Sequence, residues 1–195
     1  ARAHAARPRV AGITTSAAHD DAEPGARTLP PTGVDPRALG TLVHLSFEHC
    51  GLEPAALRAR LAARARTLDC LDARAVVDEA LALLESPGGA ALRARLRELD
   101  AHVLGREVPL LAPPLQRDGP TLARTGQIDL LYRDPADGVL VVADYKTDRD
   151  VDARGARERH GAQVAAYASA LSEALAAPVR AELWMVRSGE IVGLG

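Results

Sequence analysis

Lysine is nearly missing from this chain. Lysine and arginine together number 24, and Lys146 is the single lysine, so 23 of those positions carry arginine. Either one lysine survived a compositional bias by chance, or position 146 needs a compact ammonium where a planar guanidinium would not serve. Aromatic residues make up 3% of the chain, so a folded interior has to be built from Leu, Val, Ala and Ile. The two cysteines, Cys50 and Cys70, form no CxxC pair, which argues against a zinc site. They are also too few for the four thiolates of an iron–sulfur cluster, and they read as free thiols of a cytoplasmic protein. No apolar run approaches the roughly 18 residues that span a bilayer, so no membrane contact is expected. There is no basic start followed by an apolar stretch and a small-residue cleavage site, so no signal peptide is expected either. A G-x-x-x-x-G-K-[ST] motif is missing too, so ATP hydrolysis is not expected of this sequence.

What is present suits one folded domain. The chain has 195 residues, 47% of them hydrophobic. Its net charge of −2 is low for a nucleic-acid binder, although carboxylates that hold a metal lower the net charge at the very place where a nucleic acid would bind. Residues 1–33 are rich in Ala, Pro, Gly and charge, cannot bury enough surface to order themselves, and read as a linker from a preceding domain. The folded domain is expected over 34–195.

Asp35 and Pro36 mark a helix entry, followed by an apolar stripe of Leu39, Leu42, Val43 and Phe47 that ends at Gly51. Pro54 opens a second helix with Leu57 and Leu61 inward. A third is expected over 72–85, broken by Pro87–Gly88–Gly89, and a fourth over 90–99. The period then changes. Strands are expected over 103–111, ended by Pro113–Pro114, then over 124–132 and 139–146, the last two joined by the turn sequence Asp134-Pro135-Ala136-Asp137-Gly138. A long helix over 157–175, a strand over 180–186 and a short final strand complete an α/β fold, with a short mixed sheet flanked by helices and a helical N-terminal lobe.

A turn centred between Ala136 and Asp137 sets opposite each other residues whose numbers sum to 273, and Asp129 and Asp144 are such a pair. Opposed residues of an antiparallel pair share a face, with Cβ atoms roughly 4.5–5.5 Å apart. Two carboxylates among Ile128, Leu130, Leu131, Leu140, Val141 and Val142 repel unless a proton or a cation lies between them. Mg²⁺, with its preference for carboxylates, waters and phosphate, is a natural resident. Lys146 is two residues past Asp144 and shares its face. A metal ligand and an ammonium side by side suit phosphodiester hydrolysis; a strand-end salt bridge is the plain alternative.

The segment from Gly126 to Thr147 resembles the core motif of the RecB/AddA-type PD-(D/E)xK nucleases, the C-terminal region of UvrD-like superfamily 1 helicase–nucleases. It has Gly-x-x-Asp at Gly126 and Asp129, and Asp-Tyr-Lys-Thr at Asp144, Tyr145, Lys146 and Thr147. Gly40 and His44 match an upstream Gly-x-x-x-His helix, Gln163 and Tyr167 a downstream Gln-x-x-x-Tyr helix, and Glu107 an acidic residue on the first strand. The resemblance implies a PD-(D/E)xK restriction-endonuclease-like core and a metal-dependent DNA nuclease, exonucleolytic, acting in double-strand break processing and recombination. It implies metal ligation by His44, Asp129, Asp144 and the backbone carbonyl of Tyr145, with Lys146 as the catalytic lysine. Gln163 and Tyr167 would line the site, and Glu107 is the weakest of these transfers. Mg²⁺ is the implied cofactor, Mn²⁺ a substitute. The relatives that carry an iron–sulfur staple have four cysteines that this chain lacks, so no such cluster is expected. The implied partners are DNA, helicase domains of the same polypeptide and a second subunit of an AddAB- or RecBCD-like complex. A catalytically silent nuclease fold used for DNA binding or protein docking remains the alternative.

Overall fold

The computed structural model describes residues 34–112 and 124–194. The expected linker over 1–33 and the Pro113–Pro114 strand stop lie outside the described residues. Five α-helices and a five-stranded sheet make up the described part.

The N-terminal lobe is α1 (Pro36–Glu48), α2 (Pro54–Ala65), α3 (Ala73–Glu85) and α4 (Pro87–Glu98). Asp35 caps α1 through the amides of Arg37 and Ala38, with Pro36 in the first turn, as the sequence pattern requires. The expected break at 87–89 is shorter in the structure. Ser86 both ends α3 and caps α4, so Pro87, Gly88 and Gly89 form the first turn of α4 instead of a loop before it. The glycines are there for close packing: a Cβ at Gly88 would stand 2.4 Å from the Arg187 carbonyl oxygen, and one at Gly89 would stand 2.0 Å from that of Leu83.

After a 3₁₀ turn at Asp100–His102 come β1 (Val103–Ala112), β2 (Arg124–Arg133) and β3 (Leu140–Lys146). Helix α5 (Ala153–Leu175) follows, then β4 (Val179–Met185) and β5 (Glu190–Leu194). Helix α5 begins four residues before the apolar pattern suggests because Asp152 caps it through the Gly155 amide. The sheet order is β1-β2-β3-β4-β5, antiparallel throughout except for the parallel β3–β4 pair that α5 connects. The β2–β3 hairpin has the expected register: Leu130 faces Ala143 and Tyr132 faces Val141.

One core lies between the helical lobe and one sheet face, with Leu42, Phe47, Leu61, Leu84 and Leu96 against Leu130, Tyr132, Tyr145 and Trp184. A second lies on the opposite face, where Val164, Tyr167 and Ala168 of α5 cover Ile128, Val142, Leu183 and Met185. Strand β3 is buried on both faces, and therefore its sequence is apolar nearly throughout. Strict alternation fails at one place. Ile128 belongs to the α5-side core and Leu130, two residues on, to the lobe-side core, although residues two apart in a regular strand share a face. The switch falls at Asp129. Opposite it, between the Arg106–Leu130 and Val108–Ile128 pairs, stands Glu107 with φ +52°. No described helix is long and apolar enough to cross a membrane.

Candidate functional site

The interrupted β1–β2 pairing leaves Glu107 and Asp129 without a regular ladder between them, at the point where the sheet meets α1. The Asp129 carboxylate meets the β3 backbone just beyond the last β2–β3 pair, Leu130 with Ala143: its Oδ2 accepts from the Tyr145 amide at 2.8 Å. A hydrogen bond from a buried amide holds that carboxylate in one orientation. His44 of α1 sits over the same atom, with Nδ1 3.3 Å from Asp129 Oδ2 and Nε2 3.0 Å from the Tyr145 carbonyl oxygen. Both ring nitrogens thus face acceptors. Burial pulls the imidazole pKa down, but the charge and hydrogen bond of Asp129 outweigh it and raise the value to about 9. With only protein groups around it the ring is held as imidazolium, and it would release a proton to ligate a cation.

The Tyr145 side chain points to the face of β3 opposite Asp144 and Lys146, where it meets the His44 ring edge-on and stacks on Phe47 of α1 with ring centroids 4.5 Å apart. That contact anchors α1 against β3, and Gly40 and His44 lie on the same helix a turn or two earlier. A Cβ at Gly40 would be 3.9 Å from Thr147 Oγ1, an ordinary contact, so sterics alone do not require glycine there.

Asp144 and Lys146 share a face of β3, and Lys146 Nζ lies 2.8 Å from Asp144 Oδ2. Burial and then the Asp129 charge push the Asp144 carboxyl above its ordinary range, with Lys146 opposing. Burial would weaken the lysine's hold on its proton, yet Asp144 raises it, so the ammonium persists. Glu107 is pushed up to about 7, by burial first and by Asp129 next. The cluster is short of positive charge.

The donor set fits a divalent cation. His44, Glu107 and Asp129 each offer one ligand atom, and these atoms lie within 4.8 Å of one another. Glu107 Oε1 is buried without a hydrogen-bond partner among the described residues. One imidazole nitrogen with carboxylate oxygens, one of them orphaned, is a set that a cation completes. Of the residues expected at the metal, His44, Asp129 and the Tyr145 backbone come together here. Asp144 stands beside them, paired with Lys146. Glu107, the weakest of the expected matches, joins the group instead. Its sequence context offers little signal, since a strand glutamate is ordinary and the backbone turn that aims it inward is not written in its neighbours.

The match of a protein-family model to residues 19–193 decides the kinship; the family is described as the PD-(D/E)XK nuclease superfamily. The chain belongs to the PD-(D/E)XK nuclease superfamily. Among curated proteins none matches the sequence. In this nuclease, Gln163 and Tyr167 of α5 form one unit, the Gln163 amide donating to the Tyr167 hydroxyl at 2.9 Å. The Tyr167 ring lies against Gly126 of β2, where a Cβ would come within 2.6 Å of it. The glycine and the tyrosine of the two motifs are therefore one steric pair.

Proposed function

We propose that this chain is a Mg²⁺-dependent deoxyribonuclease module of the RecB/AddA type. It would work exonucleolytically in the cytoplasm, joined to helicase domains of the same polypeptide and to a second subunit, in double-strand break processing. The observation that carries the reading is the convergence of His44, Glu107 and Asp129 within 4.8 Å, next to a lysine held on Asp144 at 2.8 Å. His44, Glu107 and Asp129 would hold the cation, with the Tyr145 carbonyl and Asp144 at its edge. A cation there supplies positive charge to the phosphate and makes bound water more acidic.

The chain's own residues do the rest. Asp129 is fixed by the Tyr145 amide and keeps its geometry without a ligand. Asp144 keeps Lys146 protonated and aimed, so that the ammonium donates to the attacking water or to the oxygens that gain charge at phosphorus. Gln163 and Tyr167 wall the α5 side and limit solvent. Cleavage of end-labelled linear duplex and single-stranded DNA tests the reading. Fragments are expected in Mg²⁺, none in EDTA, and no cleavage of a closed circular single strand. Metal binding without any cleavage would establish the silent module instead.

A further inference from the structure

Strands β3 and β4 are parallel, and their chains diverge beyond the carboxyl ends, one toward α5 and the other toward β5. Parallel strands open crevices at such places. Here a cavity of about 610 Å³ lies between the segments, with Met185 in its wall and Arg149 and Arg187 at its edge. It adjoins the catalytic motif, because Met185 is the register partner of Lys146. Arg149 Nη2 is 3.1 Å and Arg187 Nη2 3.7 Å from the same oxygen of Glu79, in α3. One carboxylate is shared by two guanidiniums, and Asp150 of the wall is the further acid acting on Arg187. Arg187 Nε also donates to the Thr147 carbonyl at 2.9 Å, and this fixes the fork in place. The acids nearby are mostly occupied: Asp148 contacts His160 at 3.0 Å and Arg159 at 3.6 Å, and Asp152 caps α5. Asp150 is the remaining acid of the wall.

We propose that this cavity receives the nucleotide adjacent to the scissile bond, with Arg149 and Arg187 taking its phosphate. The inference rests on the nuclease reading above and adds to it where the substrate strand runs. The volume falls within the roughly 300–1,000 Å³ of small-ligand sites. A guanidinium fork matches phosphate oxygens and also offers a planar face to a base. Nothing else in the described mechanism uses these two arginines. Glu79 gathers both on one oxygen, and it competes with the incoming phosphate for the same donors.

That competition gives a test of opposite signs. Fluorescence anisotropy of a labelled single-stranded oligonucleotide is measured with this chain in Ca²⁺ across a series of salt concentrations, with cleavage in Mg²⁺ followed in parallel. Arg149→Ala should weaken binding and reduce the log–log salt slope by about 0.7, the share of one phosphate on a single strand. The Arg149 side chain is 46% exposed, so the fold should tolerate its loss. Glu79→Gln should tighten binding, and Mn²⁺ affinity should be unchanged in both variants. An unchanged slope in Arg149→Ala, or weaker binding in Glu79→Gln, overturns the proposal and reduces the trio to a clamp between α3 and the sheet. A chain that binds and cuts normally but shows either result overturns this inference alone. A chain that neither binds nor cuts overturns the nuclease reading, and this inference with it.

Discussion

Lys146 Nζ touches Asp144 Oδ2 at 2.8 Å as a point charge, and a guanidinium spread over a planar fork cannot occupy that point. Lys146→Arg is therefore expected to lose nearly as much cleavage as Lys146→Ala, roughly 10²–10³ in rate. Single-turnover cleavage decides it, and near wild-type activity in the arginine variant would mean that charge alone suffices. Gly126 is limited from outside its strand. Gly126→Ala places a methyl into the Tyr167 ring and should destabilise by about 1–3 kcal/mol. In a Tyr167→Ala background the same change should cost little, and a denaturant double-mutant cycle reads the coupling; equal costs in both backgrounds would refute the steric pairing. Asp148 sets a pH dependence. Its carboxyl is held below the usual range, first by the hydrogen bond from His160, against the effect of burial. A depressed carboxyl stabilises the fold above its unfolded pKa, and the contribution disappears as pH falls through the lower folded value. His160→Ala should therefore be less stable than the parent at neutral pH, with the gap narrowing below about pH 4. A gap constant over that range in urea titrations would contradict the assignment. At this scale the hairpin register and the shared face of Asp144 and Lys146 were legible, because register and alternation are local rules. Glu107 entered only through the family resemblance, because its orientation depends on a positive φ opposite Asp129 that no short pattern encodes.

Elements bring these residues together, and the contact between α1 and β3 matters most. Phe47 and Tyr145 are both buried and stack with an interplanar angle of 17°, which places His44, three residues before Phe47, over Asp129. Phe47→Ala is expected to cost about 3–5 kcal/mol and also to weaken Mn²⁺ binding, although Phe47 touches no ligand atom. Phe47→Leu should restore much of both. Thermal melts and metal titration of the two variants check this, and metal affinity unaffected by Phe47→Ala would show that α1 does not position His44. The helices and strands could largely be read from apolar period and capping residues. The shorter break at 87–89 could not, since Gly88 and Gly89 suggest a loop until the Arg187 and Leu83 carbonyls that press on them are known. The face switch at Asp129 escaped for a related reason: alternation is a rule for regular strands, and here the irregularity builds the site.

As a whole, the molecule is a sheet wedged between a helical lobe and α5, with the acidic cluster where lobe and sheet meet. The lobe supplies His44 and the sheet supplies Glu107, Asp129 and Asp144, so a cation bound there ties the two parts together. Mn²⁺ should accordingly raise the unfolding temperature in proportion to the logarithm of its excess over Kd. The overall order of helices, strands and crossover helix followed from the sequence, and membership in the nuclease superfamily agrees with it. Which acidic side chains converge did not follow, because that depends on packing between segments distant in the chain. Calorimetric titration of Mn²⁺ into the metal-free chain tests the central claim most directly. The account predicts one site in the parent, its loss in Asp129→Asn, strong weakening in Glu107→Gln, and its retention in Lys146→Ala; equal binding by the parent and Asp129→Asn, or no binding by the parent, would contradict it.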